Sequence, residues 1–295
     1  MRVIFCGTPE FALPVLLGLH DNHEIAAVLT QPDKPVGRGH RVAFSPVKQA
    51  AMELGLPILQ PERVVSKDIA ALNADVMITA AYGRILGQKV LDTPKYGVLN
   101  VHASLLPKYR GAAPAQWAVI NGEKQTGITI MQTARGVDCG DILQQKALDI
   151  GPDETAGELL GRLSLLGCDL LLETLANIAA IEPIKQNDVN ATHAPMLEKK
   201  DGQLDFSQDI STVYNRFRGV TPSPGAWFMA GEKVIKVLEC VPEHGDPCCN
   251  PKAGWVIACR NGALRLIKIQ AAGKKAMSAN DYLRGNSLSY PSGGD

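Results

Sequence analysis

Apolar runs and polar gaps alternate through the first half of the chain at strand and helix lengths. Residues 2–6, 24–30, 57–60, 75–81 and 97–102 are short apolar stretches bounded by Gly, Pro or polar residues, and they predict buried strands. Between the first four of them, residues 11–19, 47–54 and 65–73 repeat apolar positions at helical spacing, with Ser45-Pro46 as N-cap and first helical residue of the second. Strands alternating with helices of this length predict a mostly parallel, doubly wound sheet. The pattern continues with a helix over 111–121, β runs over 126–131 and 142–148, and a long amphipathic helix over 153–181.

The periodicity breaks at 182–207, a polar stretch that predicts a linker. Beyond it lie a helix over 210–217, the rigid turn Thr221-Pro222-Ser223-Pro224-Gly225, and short strands over 226–229, 233–241, 254–259 and 262–269. Short strands punctuated by Gly and Pro predict a small barrel, with the OB-fold one candidate at this size. The fold class is therefore α/β, a Rossmann-like doubly wound domain over 1–181, followed by the linker at 182–207 and an OB-like domain over 208–295.

Composition changes this picture little. Of 295 residues, 45% are hydrophobic and 20% charged, ordinary values for a soluble globular protein. No apolar run approaches the roughly 20 residues that span a membrane, and residues 2–6 look like a first strand rather than a leader. A cytoplasmic protein without membrane association is expected. The seven cysteines are odd in number and lack zinc or disulfide spacing, so reduced thiols and no metal site are expected. The net charge is zero, but residues 1–206 carry 19 basic against 23 acidic residues and residues 207–295 carry 11 against 7. A polyanion would be drawn to the C-terminal part first.

Candidate chemistry sits in the loops. After the first strand Gly7 stands alone and Pro9 occupies the turn, which argues against the three-glycine dinucleotide fingerprint. The fifth strand carries Asn100 and His102, two apart and so on one face, at the end where open parallel sheets bind ligands. Read singly, Asn100 could cap the strand and His102 could be a structural histidine. Together, before the punctuated loop 103–111, they point to a site. The long segment 31–41 carries Lys34, Arg38 and Arg41 and is read as a functional loop or as solvated surface. Loop 132–141 presents Asp138 and Asp141.

The motif Asn100-x-His102-x-Ser104-Leu105-Leu106-Pro107-x-Tyr109-Arg110-Gly111, followed by Gly136-Val137-Asp138-x-Gly140-Asp141, resembles the 10-formyltetrahydrofolate-dependent formyltransferases. The likeness extends from Phe5-x-Gly7-Thr8-Pro9 to Gln270-x-x-Gly273-Lys274-Lys275-x-Met277. It implies catalysis by Asn100, His102 and Asp138. It also implies a folate pocket bordered by Arg84, Ile85, Leu86, Ser104, Leu105, Leu106, Pro107 and Asp141, with 10-formyltetrahydrofolate as co-substrate and no metal. The basic loop and the Gly-Lys-Lys-x-Met stretch imply that the acceptor is the amino group of initiator methionyl-tRNA, with Arg38, Arg41, Lys274 and Lys275 on the tRNA and the two domains clamping its acceptor arm. No protein partner is implied. An amino sugar or glycinamide ribonucleotide as acceptor is the alternative, followed by hydrolysis of the formyl donor and by RNA binding without catalysis.

Overall fold

The opening strand β1 (Arg2–Gly7) is buried along all but its first residue, because Val3, Ile4, Phe5 and Cys6 leave no polar face to solvate. In the computed structural model, which describes residues 1–36, 41–243, 248–250 and 252–286, α1 (Leu13–Asn22) and β2 (Glu24–Leu29) follow. A hairpin of β3 (Lys34–Val36) and β4 (Arg41–Ala43) comes next, where the sequence predicts a loop without secondary structure. Then come α2 (Pro46–Glu53), β5 (Ile58–Leu59), α3 (Ser66–Ala71), β6 (Val76–Ala80), α4 (Gln88–Leu91) and β7 (Val98–His102). The Ser45 side chain accepts the Lys48 N–H and fixes the start of α2.

Helix α5 (Pro114–Ile120) leads to β8 (Gln125–Gln132), β9 (Ile142–Asp149) and α6 (Ala156–Asn177). The sheet order is β5-β2-β1-β6-β7-β8-β9, parallel from β5 to β7 and antiparallel at β8 and β9. The chain builds outward from β1 through β2 to β5, then returns to place β6 on the other side of β1. Such a reversal is where doubly wound sheets bind ligands, outside the carboxyl ends of the strands. α6 begins three residues later than its periodicity predicts. Thr155 and Glu158 form a reciprocal cap at that point, the Glu158 carboxylate accepting from the Thr155 N–H at 2.8 Å and hydroxyl at 2.7 Å.

The later elements are α7 (Ile210–Gly219), β10 (Ala226–Ala230), β11 (Lys233–Glu243), β12 (Cys248–Asn250), β13 (Gly254–Cys259), β14 (Gly262–Ala271), β15 (Met277–Ser278) and α8 (Ala279–Arg284). They form an antiparallel sheet of order β10-β11-β14-β13-β12, with β15 on β14. The long strand β11 pairs with β10 through residues 233–237 and with β14 along 235–243, where the register shifts around Glu239. Its core is an aromatic relay. Phe228 meets Phe206 edge-on at 5.3 Å and Trp255 at 5.5 Å, and Trp255 stacks on Tyr282 at 5.7 Å.

The compact units are not two consecutive blocks. One comprises residues 1–114, 125–149 and 160–195, and the other 115–124, 150–159 and 196 onward. Ile120 thus joins the core of the second unit, and the buried Arg218 donates to the carbonyls of Gly151 and Glu154 at 3.1 and 3.0 Å. Residues 182–195, inside the segment that composition marks as linker, pack within the first unit. Their polar side chains bond to a loop of that unit, so they carry no apolar periodicity for a sequence reading to detect.

Candidate active site

Strand alternation brings Asn100 and His102 to the same side of β7 at its carboxyl end. Thr79 on β6 is the register partner of Asn100. Its hydroxyl lies 2.9 Å from Asn100 Oδ1, which turns the Asn100 Nδ2 group toward Asp138 Oδ1 at 3.5 Å. His102 is 5% exposed. Its Nε2 lies 3.0 Å from the carbonyl oxygen of Tyr109, and its Nδ1 lies 3.6 Å from Asp138 Oδ2. A carbonyl only accepts, so Nε2 carries a hydrogen. Nδ1 is then the nitrogen left to exchange a proton, and it faces the carboxylate.

Asp138 is the vertex of this arrangement. Its φ of 46° places it in the left-handed region, uncommon for a residue with a side chain although Asp tolerates it better than most. The Gly111 N–H donates to its Oδ2 at 2.8 Å. Gly111 itself has φ 126°, and a Cβ there would lie 2.6 Å from the Ala194 carbonyl oxygen, so only glycine lets the loop pass that close.

Three supporting groups receive no role from the sequence, although Arg110 stands within its motif. Thr79 is a lone polar residue inside the apolar run of β6 and becomes meaningful only when its register with Asn100 is known. Arg110 is 7% exposed and donates through Nε and Nη2 to Gln186 Oε1 at 3.0 and 2.7 Å, and through Nη2 to Asp188 at 2.7 Å. Gln186 in turn donates to the carbonyls of Asp138 and Gly140 at 2.9 and 2.7 Å. The only sequence signal for Gln186 is a polar residue in a polar stretch.

The other candidate residues lie on several further segments. Ser104 and Leu106 are buried; the Ser104 hydroxyl donates to the Lys108 carbonyl, and Leu106 packs with Met131 and Ile142. The Leu106 peptide is also committed, with its N–H on Thr129 Oγ1 and its carbonyl on Gln145 Nε2. Leu105, Pro107 and Asp141 are half-buried. After β6, Arg84 donates to the Glu62 carbonyl, Leu86 packs against the apolar cluster beneath the sheet, and Ile85 stands 99% exposed. Tyr82, in the same turn, is buried, and burial pushes its phenol up to about 12. Lys274 and Lys275 are exposed in the turn between β14 and β15. Arg38 lies outside the described residues, and of Arg41 only the backbone is described. Among the described residues no helix is long and apolar enough to cross a membrane, and no cluster of three His, Cys, Asp or Glu could hold a metal.

A doubly wound sheet with an amide, an imidazole and a carboxylate gathered at the end of its fifth parallel strand defines a class: the chain belongs to the formyl transferase family. The formyl transferase family model matches residues 1–175, and that of the formyl transferase C-terminal domain matches residues 196–287. The methionyl-tRNA formyltransferase of Acidobacterium capsulatum is 44% identical over 303 residues, covering 98% of this chain and 97% of that protein. Two solved structures share the fold. The methionyl-tRNA formyltransferase from Clostridium thermocellum superposes with a TM-score of 0.62 at 16% identity, over 94% of this chain and 99% of that one. The N-formyltransferase from Helicobacter canadensis, in complex with folinic acid and dTDP-3-aminofucose, gives 0.70 at 18% identity, over 90% and 99%.

Proposed function

We propose that this enzyme transfers the formyl group of 10-formyltetrahydrofolate to the amino group of the methionyl moiety of initiator methionyl-tRNA, in the cytoplasm. The reading rests on the convergence of Asn100, His102 and Asp138, joined to 44% identity over 98% of the chain with an enzyme named for that acceptor. Attack of the neutral amine on the formyl carbon forms a C–N bond and an oxyanion. The Asn100 Nδ2 group, oriented by Thr79, donates to that oxygen. The amine proton passes to the pair formed by His102 Nδ1 and Asp138, directly or through a water. Collapse of the intermediate breaks the bond from the formyl carbon to N10 of the folate, and N10 takes up a proton. Arg84 to Leu86 and Ser104 to Pro107, with Asp141, border the folate, and Arg38, Arg41, Lys274 and Lys275 meet tRNA phosphates.

Radiolabelled formyl transfer tests this directly, with aminoacylated tRNAs, free methionine and amino sugars offered as acceptors. Label should appear on methionyl-tRNA and depend on Asn100, His102 and Asp138. Label on an amino sugar, or formate released without acceptor, would reject the assignment.

A further inference from the structure

We propose that Arg110 and Gln186 are positioning residues that hold the Asp138 backbone in its left-handed conformation and so set the distance between its carboxylate and His102. The proposal rests on reading Asp138 as a proton acceptor. A non-glycine residue in the left-handed region persists only where its surroundings over-determine it. Here the peptide on the C-terminal side of Asp138 is gripped through its carbonyl by Gln186, which holds the Gly140 carbonyl with its other amide hydrogen. Both amide hydrogens are spent on the loop, and the amide oxygen is spent on Arg110. The Arg110 and Gln186 side chains bond to neither the carboxylate nor the imidazole, so their influence on chemistry is geometric.

The tripeptide around Arg110 gives the network its reach. The Tyr109 carbonyl holds His102 Nε2, the Arg110 side chain holds Gln186, and the Gly111 N–H holds Asp138 Oδ2. Three successive residues thereby fix the imidazole, the loop backbone and the carboxylate relative to one another. Tyr109 and Gly111 both have positive φ, and residues 192–194 strap them. Thr192 accepts the Tyr109 N–H through its hydroxyl at 2.8 Å and the Arg110 N–H through its carbonyl at 2.8 Å, while the Ala194 N–H donates to the Arg110 carbonyl at 2.7 Å. The stretch that reads as linker is the frame of the catalytic loop.

Gln186→Glu separates the two halves of the network. A carboxylate still accepts from Arg110 but offers no hydrogen to the Asp138 and Gly140 carbonyls. Steady-state formyl transfer by the full chain should show kcat reduced by about 10- to 100-fold, the range that small misplacements of reacting groups produce. KM for both substrates and the melting temperature should stay near those of the parent. Combined with Asp138→Asn, the Gln186→Glu loss should largely disappear, because groups acting as one unit are not additive. Where Gln186→Glu does not fold, Gln186→Met, of similar length and without donors, repeats the measurement. Parental kcat in Gln186→Glu beside a strongly slowed Asp138→Asn enzyme would overturn the positioning role and leave Asp138's role standing. Parental kcat in Asp138→Asn would instead overturn the reading of Asp138, and the proposal with it. Full multiplication of the two losses would place Gln186's effect elsewhere and also overturn it.

Discussion

The Gly111 N–H donates to Asp138 Oδ2 at 2.8 Å, and the same oxygen lies 3.6 Å from His102 Nδ1. A backbone donor thus anchors the oxygen that faces the imidazole. The carboxylate cannot rotate away without losing a charge-assisted hydrogen bond, the stronger kind. Oδ1 meanwhile faces Asn100. One side chain therefore registers both the amide and the imidazole against a fixed peptide group.

Gly111→Ala tests that anchor. With φ at 126° and the new Cβ 2.6 Å from the Ala194 carbonyl oxygen, the loop must move and carry its N–H away from Asp138. Forcing a side chain into such a conformation costs on the order of 1–3 kcal/mol, so the urea midpoint should fall. Turnover should fall by about 10²-fold through misplacement of the carboxylate. A variant that loses stability but keeps parental kcat would free the Gly111 amide from any part in catalysis.

Thr79→Val keeps the shape of a buried side chain and removes the hydroxyl that orients the Asn100 amide. Loss of one such hydrogen bond is worth about 1 kcal/mol, and a freely turning amide presents its oxygen as often as its NH2 group. A kcat loss of roughly tenfold is expected, with recovery in Thr79→Ser. Equal activity of the Val and Ser variants in single-turnover assays would reject this role.

How far these groups were legible depends on where their partners lie. Asn100 and His102 stand out because strand alternation converts a spacing of two into a shared face, and a buried strand rarely carries two polar residues near its end. Asp138 is visible as a loop carboxylate, but its meeting with His102 is set by a left-handed residue and a distant peptide N–H, which leave no periodic trace. Thr79 acts across a strand ladder, so its role needs the register. Gln186 is misread for a sharper reason. It bonds to loop carbonyls, and a segment that binds by polar groups has the composition of a solvated linker. The divided units fail to show for another cause, since Ile120 and Arg218 find their partners across long stretches of chain.

Part of the stability lost on acidification should come from Glu158. Its carboxyl is held below the usual range by the Thr155 N–H, then by the Thr155 hydroxyl. A group depressed in the folded state stabilises above its unfolded pKa and loses that contribution as pH falls through the folded value. Glu158→Gln, which cannot ionise, should be less stable than the parent near pH 7 and should converge with it as the pH drops below about 4.5. Urea midpoints measured from pH 7 to pH 3 check the sign, and a gap that widens on acidification would contradict it.

Binding of the acceptor should depend on two lysines of the second unit. Lys274 and Lys275 stand exposed in the turn joining β14 to β15, where the Lys274 carbonyl accepts from the Gln270 amide and leaves the ammonium free of that fixing bond. A polyanion bound by such groups releases counterions, so the logarithm of its affinity falls with the logarithm of salt in proportion to the phosphates neutralised. If each lysine meets one phosphate of the methionyl-tRNA, Lys274→Ala with Lys275→Ala should lower the slope by about two while leaving KM for the folate unchanged. The decline in tRNA affinity should be similar for tRNAs of different sequence, because phosphate contacts position a nucleic acid without reading it. Binding measured from about 50 to 200 mM salt spans the range in which several phosphate contacts change affinity by orders of magnitude. An unaltered slope in the double variant would take this turn off the phosphate backbone.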